Sequence, residues 1–160
     1  MSRLVLSRFV FILAASVLLA MPALAAGGGS NEPPARAPVD PNFTEGRKAI
    51  DAKDWAKAIP LFQQVVAKDD KNADAFNWLG YAWRNQGNYE QSFAAYTKAL
   101  TIDPRHRGAH EYIGEAYLKV NNLEKAEEHL KRLDSLCTFG CAEYTELKGK
   151  IAAYKAAKPS

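Results

Sequence analysis

A chain of 160 residues with a formal net charge of +3 carries too little charge to indicate nucleic acid or an acidic membrane surface as its partner. Two of the positive charges, Arg3 and Arg8, belong to the first 25 residues, which contain no acidic residue, so the charge of the remainder falls to +1. The roughly 135 residues that remain suit one small domain.

Residues 1–25 are predicted to be a secretory signal peptide. After the basic start comes an apolar run from Phe9 to Leu19, and Ala23–Leu24–Ala25 provides the small residues of a cleavage site. The alternative is an uncleaved membrane anchor, but the run is shorter than the roughly 20 residues of a comfortable span. We therefore expect a bacterial protein that is periplasmic or secreted after cleavage near Ala25.

Residues 26–39 are rich in Gly and Pro and lack apolar periodicity, so they are predicted to be a flexible linker. The folded part is expected to begin at Asp40, a favourable N-cap residue, with Pro41 at the first helical position.

From Asp40 onward, apolar residues recur at helical spacing in short blocks, and no strand-like alternation occurs. Asp or Asn precedes several blocks, where its side chain can cap the first turn, and these residues are Asp54, Asn72, Asn88 and Asn122. The pattern predicts an all-α fold with six helices of about 12–14 residues and a seventh at the C-terminus.

The blocks repeat with a period of 34 residues. Three sets of positions share this register: Gly46, Gly80 and Gly114; Ala58, Ser92 and Ala126; Phe62, Tyr96 and Leu130. We expect each glycine to permit close approach to the small residue of the second helix, while the large residue fills the space toward the next hairpin. Hairpins of this kind stack because each one leaves an apolar face uncovered.

This pattern resembles the tetratricopeptide repeat family. The middle unit carries the resemblance best, through Phe76, Leu79, Gly80, Trp83, Gly87, Tyr89, Ser92, Tyr96, Ala99 and Pro104. The resemblance implies a right-handed superhelix of three 34-residue helix-turn-helix repeats, at 40–72, 73–106 and 107–136. Residues 137–160 would then form a Cys-x3-Cys turn, a capping helix and a short tail, although such a helix could instead dock a partner.

The resemblance also implies a protein-binding scaffold that is not an enzyme and needs no cofactor. The first helices of the repeats would line a concave groove, with the binding residues Arg47, Asn77, Trp78, Tyr81, Arg84, Asn85, Glu111, Tyr112, Glu115 and Lys119. Trp78 is expected to be partly exposed, or else to pack on the neighbouring first helix.

The clamp for a terminal carboxylate, found in chaperone-binding members of the family, is not expected in this chain. Its positions hold Phe43, Arg47, Trp78, Gly108 and Tyr112, of which only Arg47 could contribute. The predicted ligand is an extended or helical segment of another protein in the cell envelope, held by aromatic and mixed-charge contacts.

Cys137 and Cys141 are the only cysteines, and an oxidising compartment favours a disulfide that fixes the capping helix. The alternative is a thiol-redox or copper-handling protein. Against it, three residues separate the cysteines where redox catalysts usually have two, and Cys137 falls at a helix end, which does not lower a thiol pKa. Ala142 also stands where covalent haem attachment would need His.

The three histidines are not expected to bind a metal. His106 falls in a turn, His110 occupies a packing position, and His129 stands among Glu127, Glu128 and Lys131, which is typical of a solvated helix face. The sequence thus predicts a periplasmic adaptor, with a redox or metal-handling protein and a subunit of a larger assembly as alternatives.

Overall fold

A computed structural model describes residues 40–157 of the chain, so the predicted signal peptide, the whole predicted linker and the last three residues lie outside the described part. Within it the chain forms seven helices and no strand: α1 (Pro41–Asp51), α2 (Trp55–Lys68), α3 (Ala73–Gln86), α4 (Tyr89–Ile102), α5 (Arg107–Lys119), α6 (Leu123–Leu136) and α7 (Ala142–Ala157). The all-α prediction is confirmed. Helix α1 has 11 residues, fewer than predicted, because the chain turns at Lys53 with a φ of 56°.

The predicted N-caps form as expected from their side-chain chemistry. Each Asp or Asn accepts a hydrogen bond from a backbone N–H of the first helical turn, and the capping residues are Asp40, Asp54, Asn72, Asn88 and Asn122. His106 caps α5 in the same way through Nδ1, which accepts from the N–H of Ala109 at 3.1 Å. Local sequence therefore determines where most helices begin.

The first six helices pack in pairs, α1 with α2, α3 with α4, and α5 with α6. Helix α3 also contacts α1 and α5, so the first helices of the three pairs share one surface, which we name the first-helix face. Between residues 40 and 157, none of the helices has the length and apolar content needed to cross a bilayer.

The glycines permit close packing, but their neighbours differ from those expected. A Cβ on Gly80 would lie 2.7 Å from Cδ1 of Tyr96, and one on Gly46 would lie 2.9 Å from Cζ of Phe62. The rings thus lie on the glycine of their own pair, and Tyr96 also fills the space toward the next hairpin as expected, because it shares a buried cluster with Ile113 and Ala116 of α5. The small residue contributes as well, since Ser92 Oγ donates to the Gly80 carbonyl at 2.9 Å.

The third pair departs from this arrangement. A Cβ on Gly114 would meet Leu147 of α7 at 2.7 Å, whereas Leu130, which the 34-residue period places there, is half-buried. Helix α7 packs on both α5 and α6 and buries Leu147 and Ile151. The C-terminal helix therefore supplies an apolar contact that the last pair does not make by itself.

Candidate protein-binding face

Aromatic rings from two neighbouring helices meet on the first-helix face. Tyr81 of α3 and Tyr112 of α5 lie with ring centroids 4.9 Å apart, and Trp78 lies 5.6 Å from Tyr81 and 5.9 Å from Tyr112. Trp55, at the start of α2, contacts Tyr81 at 5.9 Å. We name these four residues the aromatic cluster, and all four are partly exposed.

Trp78 satisfies both expectations formed from the sequence, because it is partly exposed and also packs against both neighbouring first helices. On the α1 side, the guanidinium of Arg47 lies over its ring, 3.4 Å from the centroid. Such cation–π contacts favour Arg over a Trp face. Nη1 of Arg47 is buried and has no hydrogen-bond partner among the described residues, so the first-helix face contains an unsatisfied hydrogen-bond donor.

A chain of charges joins α3, α5 and α7 beside the aromatic cluster. Nη1 of Arg84 donates to Glu115 Oε2 and to the carbonyl of Tyr112, the latter at 3.3 Å, and Lys150 of α7 donates to Glu115 Oε1. The side chains of Arg84 and Glu115 are only 8% and 11% exposed. Glu115 is thus shared between two cations, one of them on the capping helix.

Three residues predicted to face the groove are instead buried: Asn77, Arg84 and Glu111 are 3%, 9% and 8% exposed. The reason is close packing of the first helices, as at Gly108, where a Cβ would lie 3.4 Å from Asn77 Nδ2. Burial, and secondarily the charge of Glu115, raises the pKa of Glu111 to about 7. The binding role of these residues stays a prediction, whereas their exposure was predicted wrongly.

The rim of the face is open. Asn85 and Lys119, two further predicted binding residues, are exposed at the C-terminal ends of α3 and α5. Beside them, a cavity of about 730 Å³ opens between α3, α5 and α7. We name it the α3–α5–α7 pocket, and its lining consists of Tyr81, Arg84, Asn85, Glu115, Leu118, Lys119, Lys150, Ala153 and Tyr154.

The cysteines are joined as a disulfide between Cys137 and Cys141, whose Cα atoms lie 5.6 Å apart. Gly140 adopts a φ of 85°, which glycine permits in so short a loop. Cys137 is the C-cap of α6, as expected, and the negative end of a helix dipole does not favour a thiolate. The loop connects the end of α6 with the start of α7.

His129 does not belong to a solvated face, contrary to the sequence prediction. Its Nδ1 lies 2.9 Å from Nδ1 of His110, and its ring stacks on Tyr117. The Pro104 carbonyl, 3.1 Å from His110 Nε2, only accepts, so Nε2 of neutral His110 carries the proton and its Nδ1 accepts from His129. Burial, then the neighbouring His110, lowers the pKa of His129 to about 4. The packing of α5 against α6 brings the two histidines together. The sequence does not indicate this contact, because the residues on either side of His129 along the chain are charged.

The fold and these surfaces can be compared with known proteins. Two family models, both described as tetratricopeptide repeat, match residues 43–107 and 84–151 and together span more than half of the chain. Cellulose synthase operon protein C of Escherichia coli is 31% identical over 105 residues, which cover 55% of this chain and 9% of that protein. Human protein O-mannosyl-transferase TMTC3 is 30% identical over 83 residues, covering 52% of this chain and 9% of that protein. The chain thus spans less than a tenth of these relatives.

Solved structures share the architecture. PcrH in complex with the chaperone binding region of PopD gives a TM-score of 0.65 at 22% identity, covering 72% of this chain and 90% of that one. The type III secretion translocator chaperone SycD of Yersinia enterocolitica gives 0.65 at 19% identity, covering 74% and 84%. The first repeat domain of RPAP3 bound to an HSP90 peptide gives 0.64 at 18%, covering 72% and 90%. Such identities show the fold alone, and together with the matching family models they lead to one conclusion: the chain belongs to the tetratricopeptide repeat family.

Proposed function

We propose that this chain is an exported adaptor of the bacterial cell envelope that binds a segment of another protein on its first-helix face. Tetratricopeptide repeats typically act as non-catalytic scaffolds, and two of the similar structures hold a segment of another protein, by their own descriptions. We propose neither an enzyme activity nor a cofactor for this chain.

The observation that carries the proposal is the aromatic cluster with its cations. Trp, Tyr and Arg are the residues that dominate binding energy in protein interfaces. Here Trp78, Tyr81 and Tyr112 lie in mutual contact, and Arg84 lies over two of the rings, 4.9 Å from the centroid of Tyr81 and 5.4 Å from that of Tyr112. Their mutual packing holds the rings in place before a partner arrives, which lowers the entropic cost of binding.

Export is the second part of the proposal, and its support is the composition of residues 1–25 together with the bonded cysteine pair. Disulfides persist in the periplasm and outside the cell, whereas the cytosol keeps thiols reduced. The redox or copper-handling alternative is not favoured, because the cysteines lie at the end of a helix and connect two packed helices of a scaffold fold.

Binding is tested by placing a photo-activatable amino acid at Asn85, exposed on the rim, and at Gln63, exposed on α2, as the matched control. The partner crosslinked from Asn85 alone is identified, purified and titrated against the isolated chain. We expect Trp78→Ala to weaken its binding by about thirtyfold, the effect of losing one hot-spot side chain. Circular dichroism of the variant verifies that the helices remain. Crosslinks of equal yield from both positions, or unchanged affinity in the variant, would contradict a binding role for this face.

Export is tested separately by alkylating the protein directly in cells, before and after reduction. We expect Cys137 and Cys141 to react only after reduction, in protein found in the periplasm or medium. Two freely reactive thiols in unreduced cells would refute the exported, disulfide-bonded form.

A further inference from the structure

The α3–α5–α7 pocket points to the chemistry of the partner. Its lining combines the cations Arg84, Lys119 and Lys150 with one anion, Glu115. We infer that this pocket receives an acidic side chain, Asp or Glu, of the segment bound on the first-helix face. This inference rests on the proposed function and adds to it the class of residue that the partner must present.

The charges in the lining of the pocket do not balance. Glu115 is already engaged by Arg84 and Lys150, one to each of its carboxylate oxygens. The lining therefore holds three cations and one carboxylate, which is an excess of positive charge. Lys119 is exposed and has no ion pair among the described residues. An incoming carboxylate would restore the balance, whereas an incoming cation would be repelled.

Arg84 and Lys150 keep hydrogen-bond donors that no described residue uses. Both hydrogen bonds of Arg84 are made by Nη1, so its Nε and Nη2 groups have no partner among the described residues. Lys150 is 46% exposed and donates one of its three N–H groups to Glu115. A guanidinium and an ammonium with spare donors are the groups that bind carboxylates best.

The apolar residues in the lining favour a protein side chain as the ligand of the pocket. Tyr81, Leu118, Ala153 and Tyr154 supply apolar surface that can cover the methylene groups of Asp or Glu. A volume of about 730 Å³ admits a side chain and its neighbours, which suits a segment continuing from the aromatic cluster through Tyr81, a member of both surfaces. Since α7 provides Lys150, Ala153 and Tyr154, the pocket exists only because the capping helix packs beside α5.

To test the inference, random linear peptides displayed on phage are selected for binding to the protein purified from cells. This selection needs no assumption about the natural partner. Selected sequences are synthesised with amidated and with free C-termini, and both forms are titrated against the chain. We expect one position to be enriched in Asp or Glu, and replacement of that residue by its amide to weaken binding about tenfold, with a weaker effect in high salt.

Charge changes in the chain provide the matched comparison. Lys119→Glu and Lys150→Gln are each expected to weaken the binding of acidic peptides about tenfold. Lys57→Glu, the same charge reversal at an exposed position on α2, should leave their binding unchanged. The side chains of Lys119 and Lys57 are exposed and make no hydrogen bond or ion pair among the described residues, so neither substitution removes such a contact from the fold.

The outcomes separate the two proposals. Peptides that need Trp78 but show no acidic preference, or are indifferent to Lys119→Glu, overturn the pocket assignment and leave the adaptor function standing. Peptides that bind only with a free C-terminal carboxylate overturn the assignment as well, because the chain end would then be the ligand. A selection that yields no peptide dependent on Trp78 overturns both.

Discussion

Alanine in place of Gly80 tests how closely the paired helices pack. The new Cβ would lie 2.7 Å from two ring carbons of Tyr96, a distance that real Cβ atoms do not tolerate. Tyr96 is fully buried and cannot swing into solvent. Overpacking of a core typically costs about 1–3 kcal/mol, and the better helix propensity of Ala returns up to about 1 kcal/mol. With the full offset, the free energy of unfolding should therefore fall by up to about 2 kcal/mol.

Gly149 of α7 provides the matched control. It is helical and exposed, and a Cβ there would have no atom within 4 Å. The same substitution, Gly149→Ala, should raise the free energy of unfolding by about 0.5–1 kcal/mol, because only backbone entropy and helix propensity change. Urea denaturation followed by circular dichroism measures both variants. If the two substitutions shift the midpoint in the same direction, or if Gly80→Ala is as stable as the parent, the packing argument is wrong.

Two further predictions concern the histidine pair and the disulfide. Because the folded pKa of His129 lies at about 4, below its ordinary 6.5, the unfolded chain binds more protons between these values, and stability should fall as pH drops from about 6.5 to 4. Urea titrations at pH 7 and 4.5 should show that the free energy of unfolding falls by about 2 kcal/mol at the lower pH, and that His129→Gln lacks this decrease. An equal decrease in both proteins would exclude the histidine as its source. Reducing the bond between Cys137 and Cys141, which closes a very short loop, should lower the free energy of unfolding by about 1–2 kcal/mol and leave the helical signal intact. A larger loss in dithiothreitol, or melting of the helices, would mean that the bond does more than restrict the unfolded chain.

Helix starts and fold class were predictable from local sequence. An Asp or Asn side chain caps a helix through atoms within three residues of itself, so Asn72 and Asn88 identify their helices without reference to the rest of the chain. The 34-residue spacing likewise predicts stacked hairpins, because the period counts residues along the chain.

The candidate site was predicted only in part. The sequence indicates which residues belong to the first helices, and Trp78 and Tyr112 do lie together there. It gave no measure of how closely those helices approach, so Asn77 and Glu111 were expected to face the groove and are in fact buried. The exposure of a helical side chain depends on the neighbouring helix, which periodicity does not specify.

By itself, the sequence determined the helices, their caps, the repeat family and the set of aromatic and charged residues on one face, because each of these depends on spacing along the chain. Only the tertiary structure decided that Leu147 replaces Leu130 against Gly114, that His110 and His129 share a hydrogen bond, and that Lys150 completes a pocket with Arg84 and Glu115. All three join helices that local patterns leave independent. The physical reason is that burial and charge pairing depend on distances in space, which packing of the whole domain sets.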